Sequence, residues 1–151
     1  MNMKKIIVLL LGVVFTLQVN AQKPNPVKWT FAAVKKSDKQ YEVTATATID
    51  ATWHVYSQFV KGGPIPTSFK FSKNPLIQLV GKTKENGKLQ KMFDKNFNAE
   101  ISYFSNKVDF VQIVNLKVAS KTNLAGEVEY TVCNDDRCLP PAKVFFEVAL
   151  H

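Results

Sequence analysis

Reactive side chains in this 151-residue chain are concentrated in one short segment, Cys133-Asn134-Asp135-Asp136-Arg137-Cys138, followed by Leu139-Pro140-Pro141. These two cysteines are the only ones in the sequence. Four intervening residues can form a turn that brings two Cα atoms to the about 4.4–6.8 Å that a disulfide spans. Such a bond closes a loop of only six residues, for which the chain-entropy relation gives roughly 2 kcal/mol. As a staple it is modest. Val128, Tyr130 and Val132 share an apolar register, and Cys133 falls in the other one with Glu127, Glu129 and Thr131. A strand that stays regular to its end therefore turns Cys133 away from the core, into reach of solvent. An accessible disulfide in a tight loop can be attacked by an incoming thiolate. Asp135 and Asp136 disfavour a thiolate beside them, whereas Arg137 favours one. Chemistry alone leaves two readings open: an exchange-active disulfide and a structural hairpin staple.

Other reactive groups are scarce. His54 and the C-terminal His151 are the two histidines. A mononuclear metal site needs three or four converging ligands. His54, Met92 and the two cysteines make a soft copper set on paper, but they are scattered, and no metal or other cofactor is expected. Ser/His/Asp catalysis would have His54 as its sole base, with no nucleophile motif beside it. Gly62-Gly63-Pro64 reads as a turn, since no helical pattern follows to cradle a phosphate. Trp29, Trp53 and most phenylalanines read as core.

The elements that must position the cysteines are strands. Tyr41, Val43, Ala45, Ala47 and Ile49 alternate with polar residues, the period-two pattern of a half-buried strand. Val108–Val118, Val128–Val132 and Val144–Leu150 repeat it. Shorter candidates are Val27–Val34, Thr52–Gln58, Thr67–Ser72, Leu76–Lys82 and Glu100–Phe104. Turn residues separate them, and no segment sustains a helical period. About nine short antiparallel strands point to an all-β fold, an immunoglobulin-like antiparallel β-sandwich. The polar stretch Thr83–Ala99 reads as a long irregular loop, the kind of connection where function tends to sit. The disulfide that pins the two sheets of an immunoglobulin domain spans a long stretch of chain, and Cys133–Cys138 cannot serve as that pin.

Residues 1–21 read as an address. Lys4 and Lys5 precede an apolar run from Ile6 to Leu17, and Val19-Asn20-Ala21 offers a small-residue cleavage site. This is the layout of a secretory signal peptide. The run is shorter than the ~18–20 apolar residues of a spanning helix, and no later segment could span a bilayer, so residues 22–151 are expected as an exported domain without membrane insertion. Export places the cysteines where disulfides persist. The formal charge is +8, from 20 Lys+Arg against 12 Asp+Glu. The lysines are scattered, with no basic stripe interleaved with aromatics, which argues against nucleic-acid binding. A closed sandwich needs no partner to complete its core, so a monomer is expected.

The segment Val128-Glu129-Tyr130-Thr131-Val132-Cys133-Asn134-Asp135-Asp136-Arg137-Cys138-Leu139-Pro140-Pro141 resembles the active-site hairpin of the N-terminal periplasmic domain of the thiol:disulfide interchange protein DsbD. Trp53-His54-Val55-Tyr56 is similar to the aromatic strand near that active site. Asp94-Lys95-Asn96-Phe97, with Glu100-Ile101-Ser102-Tyr103, is similar to the acidic-aromatic cap loop and the strand after it. The resemblance covers essentially all of residues 22–151, and its specificity rests mostly on the Cys hairpin with Pro-Pro. This hairpin holds four residues between its cysteines, where the best-known members hold five.

The resemblance implies an immunoglobulin-like domain, located in the periplasm, whose cysteine pair relays electrons between thioredoxin-like donors and acceptors. By position, Cys138 forms the mixed disulfide and Cys133 resolves it. Phe97 is the cap side chain, with Phe93 as its alternative. Asp94, Tyr56, Asp135 and Asp136 surround the pair. The full-length reductase continues into further domains, so this chain is expected as a free-standing carrier reduced by another chain. Whether it counts as an enzyme, a protein-disulfide reductase, depends on the redox reading. The alternative is an exported binding or structural module with a purely structural disulfide.

Overall fold

The computed structural model describes residues 25–95 and 97–151. The expected signal peptide and its cleavage site lie outside them. Among the described residues every regular element is a strand, and every pairing is antiparallel. The first sheet holds β1 (Val27–Ser37), β2 (Gln40–Ile49), β8 (Lys107–Leu116) and β5 (Ile77–Gly87) in the order β1-β2-β8-β5. The second holds β3 (His54–Tyr56), β6 (Gln90–Asp94), β7 (Ala99–Phe104) and β10 (Val132–Cys133) in the order β10-β3-β7-β6. The third runs β11-β9-β4, from β4 (Ser68–Phe71), β9 (Thr122–Tyr130) and β11 (Ala142–Leu150).

The period-two strands bury the faces their sequences indicate. Tyr41, Val43, Ala45, Ala47 and Ile49 of β2 are buried, and so are Val108, Phe110, Val114 and Leu116 of β8. Together with Val27 these residues face a layer made of the other two sheets. One core cluster joins Ala45, Ala47, Val108 and Phe110 to Val55, Phe104, Tyr130 and Val132. A second joins Tyr41, Val43 and Val114 to Leu124, Phe146, Val148 and Leu150. Phe110 sits at the centre of an aromatic group, with ring centroids 5.7 Å from Trp29, 5.2 Å from Phe69 and 6.4 Å from Phe104. The result is a two-layer β-sandwich of immunoglobulin-like kind. Trp29 and Trp53 pack against the core as expected, but Phe59, Phe93, Phe97 and Phe145 are exposed.

The stretch Thr83–Ala99 differs from the loop its composition suggests. It completes β5, forms all of β6, and ends in a short turn. The pairing of β5 with β8 shifts between Val80 and Lys84, where Gly81 takes a φ of 69°. Such a bulge bends an edge strand and lets pairing resume beyond it. Gln112, buried on β8, satisfies the bulge: its Nε2 donates to the Val80 carbonyl at 3.2 Å, and its Oε1 accepts from Thr83 Oγ1 at 2.9 Å. The segment is polar because β5 is an edge strand with little side-chain burial, so ladder pairing replaces apolar patterning. Conversely, Thr52–Gln58 yields a strand of only three residues.

Phe110→Ala is expected to cost about 3–5 kcal/mol, the range for a large side chain deleted from a packed core. Phe145→Ala, at a side chain 75% exposed, is expected to stay within about 0.5 kcal/mol. Urea denaturation midpoints of the two variants check both.

Candidate functional site

The strand carrying Cys133 changes sheets just before it. Tyr130 ends β9 opposite Ala142 of β11, whereas Val132 and Cys133 pair with Val55 and His54 of β3. Thr131 makes the crossing and is itself buried. The pleat survives the crossing, so Val132 points into the main core and Cys133 to the opposite face. That face is not open to solvent. Tyr56 and Ile101 share it and form a buried cluster with Cys133, flanked by Val60 and Tyr103. Cys133 is therefore only 2% exposed. The expectation of an accessible Cys133 is corrected: the register was right, but the sheet is covered on both sides.

Cys133 and Cys138 are joined by a disulfide, their Cα atoms 4.0 Å apart. They face each other as an antiparallel bridge closing a tight hairpin, which sets the Cα atoms nearer than the usual lower bound of about 4.4 Å. Asn134 shapes the turn. Its Oδ1 accepts from the backbone N–H groups of Asp136 and Arg137 at 3.0 and 2.8 Å, and its own N–H donates to the Arg137 carbonyl at 2.9 Å. An Asn at the first position of a four-residue turn does this habitually, so the signal was present in the sequence although Asn134 was not singled out. Beyond the turn, the Leu139 N–H donates to the Val132 carbonyl. Cys138 is left exposed. The two sulfurs of one bond thus belong to one buried and one exposed residue.

A pocket of about 460 Å³ surrounds the pair. Cys133 to Cys138 form one wall, and His54, Tyr56, Met92, Phe93, Asp94, Lys95 and Phe97 form the rest. Every residue expected around the pair, Phe97, Asp94, Tyr56, Asp135 and Asp136, lines it, as does the alternative cap Phe93. Asp94 ends β6, and its Oδ1 accepts from the Phe97 N–H at 3.3 Å. Phe97 and Phe93 are 45% and 61% exposed. Below them, the Tyr56 carbonyl accepts from buried Thr67 Oγ1 at 2.6 Å. The Glu85 carboxylate holds the end of β3, accepting from Ser57 Oγ and from the Gln58 N–H. Gly63 lets the next loop close on the floor of the site: a Cβ there would lie 2.8 Å from Ile101 Cγ2.

His54 sits directly opposite Cys133. Sequence reasoning placed it on the aromatic strand near the site but gave it no role there. Its Nε2 is 3.2 Å from Tyr56 Oη, and its ring leans on Tyr103 with centroids 4.8 Å apart. Burial lowers the His54 pKa below the ordinary 6.5, while Asp135 and Asp94 pull it back in part. Burial, helped by the Asp94 charge, pushes the Tyr56 phenol up to about 12. The pocket does gather His54, Met92 and both cysteines, but the sulfurs are bonded to each other. Among the described residues, no group of three or more His, Cys, Asp or Glu could hold a metal ion.

The family model described as "Thiol:disulfide interchange protein DsbD, N-terminal" matches residues 16–150. The chain belongs to the DsbD N-terminal domain family. Solved structures agree on the fold. The reduced DsbD N-terminal domain of Neisseria meningitidis superposes with a TM-score of 0.59 at 13% identity, over 89% of this chain and 94% of that one. A complex between the DsbD N-terminal and PilB N-terminal domains of the same organism gives 0.56 at 14%, over 85% and 87%. The N-terminal periplasmic domain of ScsB from Proteus mirabilis gives 0.58 at 14%, over 84% of this chain and 47% of that chain. No curated protein is similar enough in sequence to stand as a relative. No helix among the described residues is long and apolar enough to cross a membrane.

The depressed His54 pKa has a stability consequence. The unfolded chain binds a proton near pH 6.5, and the folded chain does so only at lower pH. The contribution is complete above pH 6.5 and is lost as pH falls from there toward the folded pKa. Denaturation midpoints measured from pH 7.5 to 5 should therefore fall more steeply in the wild type than in His54→Gln.

Proposed function

We propose that this DsbD N-terminal family domain is a periplasmic thiol–disulfide exchange protein, relaying electron pairs through Cys133 and Cys138 between thioredoxin-like partners. The observation that carries the reading is the asymmetry of the disulfide, one cysteine buried and the other exposed beside a pocket lined by both. Family membership and the complex of the related Neisseria domain with a PilB domain support it.

In the oxidised protein, a donor's thiolate reaches the exposed Cys138 sulfur. It forms a mixed disulfide there and expels Cys133 as a thiolate. The donor's second thiolate then attacks its own mixed-disulfide sulfur and leaves Cys138 reduced. Electron delivery is the reverse. The Cys138 thiolate attacks an acceptor's disulfide, and the acceptor's second sulfur departs as a thiolate. Cys133 then attacks Cys138, the intramolecular bond re-forms, and the acceptor leaves with both sulfurs reduced. One electron pair has passed to the acceptor.

Phe97 is the cap in this scheme, held over the pair by the Asp94 hydrogen bond to its backbone. It shields the sulfurs from small oxidants and reductants, and a docked partner displaces it. Tyr56, Asp94, Asp135 and Asp136 form the surroundings the partner meets. Asp135 and Asp136 disfavour a lingering thiolate on Cys138, which suits a carrier that must hand its electrons on.

Cys133→Ala is expected to trap a thioredoxin-like partner through Cys138 as a reducible adduct on a non-reducing gel, while Cys138→Ala traps none. If neither variant ever forms a mixed disulfide, the exchange reading fails and the immunoglobulin-like module with a structural staple takes its place. Phe97→Ala should speed reduction of the wild-type pair by dithiothreitol several-fold, and Phe93→Ala should do so less. Equal rates in Phe97→Ala and wild type would remove Phe97 from the cap role.

A further inference from the structure

We infer that His54 is the proton acceptor for the Cys133 thiol in the resolving step, and that it returns the proton to the Cys133 sulfur when the flow reverses. This rests on the exchange reading above. Three observations on the molecule carry it.

The first is position. His54 and Cys133 are direct cross-strand partners on one face of the β10-β3 pair. Residues so placed have Cβ atoms about 4.5–5.5 Å apart. The second is need. Cys133 must become a thiolate to attack Cys138, yet it is 2% exposed. A thiol in such surroundings holds its proton more tightly than one in water, and bulk solvent is a poor route for removing it. A local base solves this.

The third is the set of alternatives. The titratable and charged groups facing the pair are Tyr56 of β3, Tyr103 of β7, Asp94 and Lys95 at the end of β6, and Asp135, Asp136 and Arg137 of the hairpin. A phenol pushed up to about 12, as at Tyr56, stays protonated. Lys and Arg side chains, as at Lys95 and Arg137, are proton donors with no acceptor site. A carboxylate is a weaker base than an imidazole. His54 is the imidazole in the group, and burial keeps it neutral and ready to accept. Asp135 and Asp94 favour the imidazolium once it forms. The contact between His54 Nε2 and Tyr56 Oη at 3.2 Å fixes the ring. A neutral imidazole carries one unprotonated ring nitrogen, and that nitrogen is the base.

The step balances without a further reactant. The Cys133 proton moves to the unprotonated ring nitrogen of His54. The Cys133 sulfur then forms its bond to the Cys138 sulfur, the bond from Cys138 to the acceptor breaks, and the electron pair leaves on the acceptor's sulfur. The imidazolium afterwards loses its proton to that thiolate or to solvent.

One equivalent of 5,5′-dithiobis(2-nitrobenzoate) mixed with the fully reduced protein separates the steps. Attack by Cys138 releases the first thionitrobenzoate, and resolution by Cys133 releases the second. In the wild type the second phase should be nearly level from pH 6.5 to 8. In His54→Gln and His54→Phe it should be slower by at least about tenfold at pH 7 and should climb about tenfold per pH unit. The first phase should stay within about twofold of wild type in both, because Cys138 is exposed and does not use the imidazole. Second phases that match wild type in both rate and pH profile overturn the inference and leave exchange intact. If neither variant folds, the wild-type profile decides: a second phase that itself climbs tenfold per pH unit overturns it. A wild type that releases no thionitrobenzoate contradicts the exchange reading itself.

Discussion

The crossing at Thr131 is the constraint on which the site depends. One continuous run of chain belongs to the β11-β9-β4 sheet up to Tyr130 and to the β10-β3-β7-β6 sheet from Val132 onward. Had the run continued along its first sheet, Cys133 would not have met His54. Because it crosses, Val132 closes the main core, and Cys133 is pressed onto Tyr56 and Ile101. The hairpin then turns on Asn134 and returns Cys138 to the surface. A symmetric staple would bury both sulfurs or expose both. This one gives its two ends different access to solvent and to thiols, and ordered exchange requires that difference.

The scaffold holds the pair from below. The floor is over-determined: Thr67 bonds the Tyr56 carbonyl, Glu85 clasps the end of β3, and the loop beyond closes on Ile101. Above it, Phe97 and Phe93 are 45% and 61% exposed, and the Phe97 backbone N–H donates to Asp94 Oδ1 at 3.3 Å. A partner that brings its own apolar surface can replace such contacts at little cost, whereas opening the floor would disturb the sandwich. Burial also acts on the protons. The same layer that seats Cys133 holds His54 neutral and Tyr56 protonated, so access and acid–base state follow from one packing arrangement.

Much of this was legible in the sequence, for identifiable reasons. Strands with one wet face, such as β2 and β8, announce themselves by period two, and the core residues follow from it. The hairpin with its Pro-Pro exit marked the cysteines, and Asp94 and Phe97, singled out beside it, line the same pocket. Two failures came from features that local pattern does not encode. Thr83–Ala99 is polar because it is edge strand and hairpin, where backbone pairing substitutes for side-chain burial. Cys133 was assigned the right register and the wrong exposure, because period two tells which side a residue points to and not what lies on that side. The pairing of His54 with Cys133 was missed for a related reason: the two lie 79 positions apart in sequence and meet only once β3 and β10 are paired.

The reduction potential of the Cys133–Cys138 pair, measured by equilibrating the folded protein with a thiol redox buffer, tests the central claim most directly. An asymmetric, partner-accessible disulfide should lie in the exchange range of roughly −120 to −270 mV and equilibrate rapidly with a thioredoxin. A potential well below about −300 mV, or a bond that resists exchange until the protein unfolds, would contradict the account and make the disulfide a structural staple.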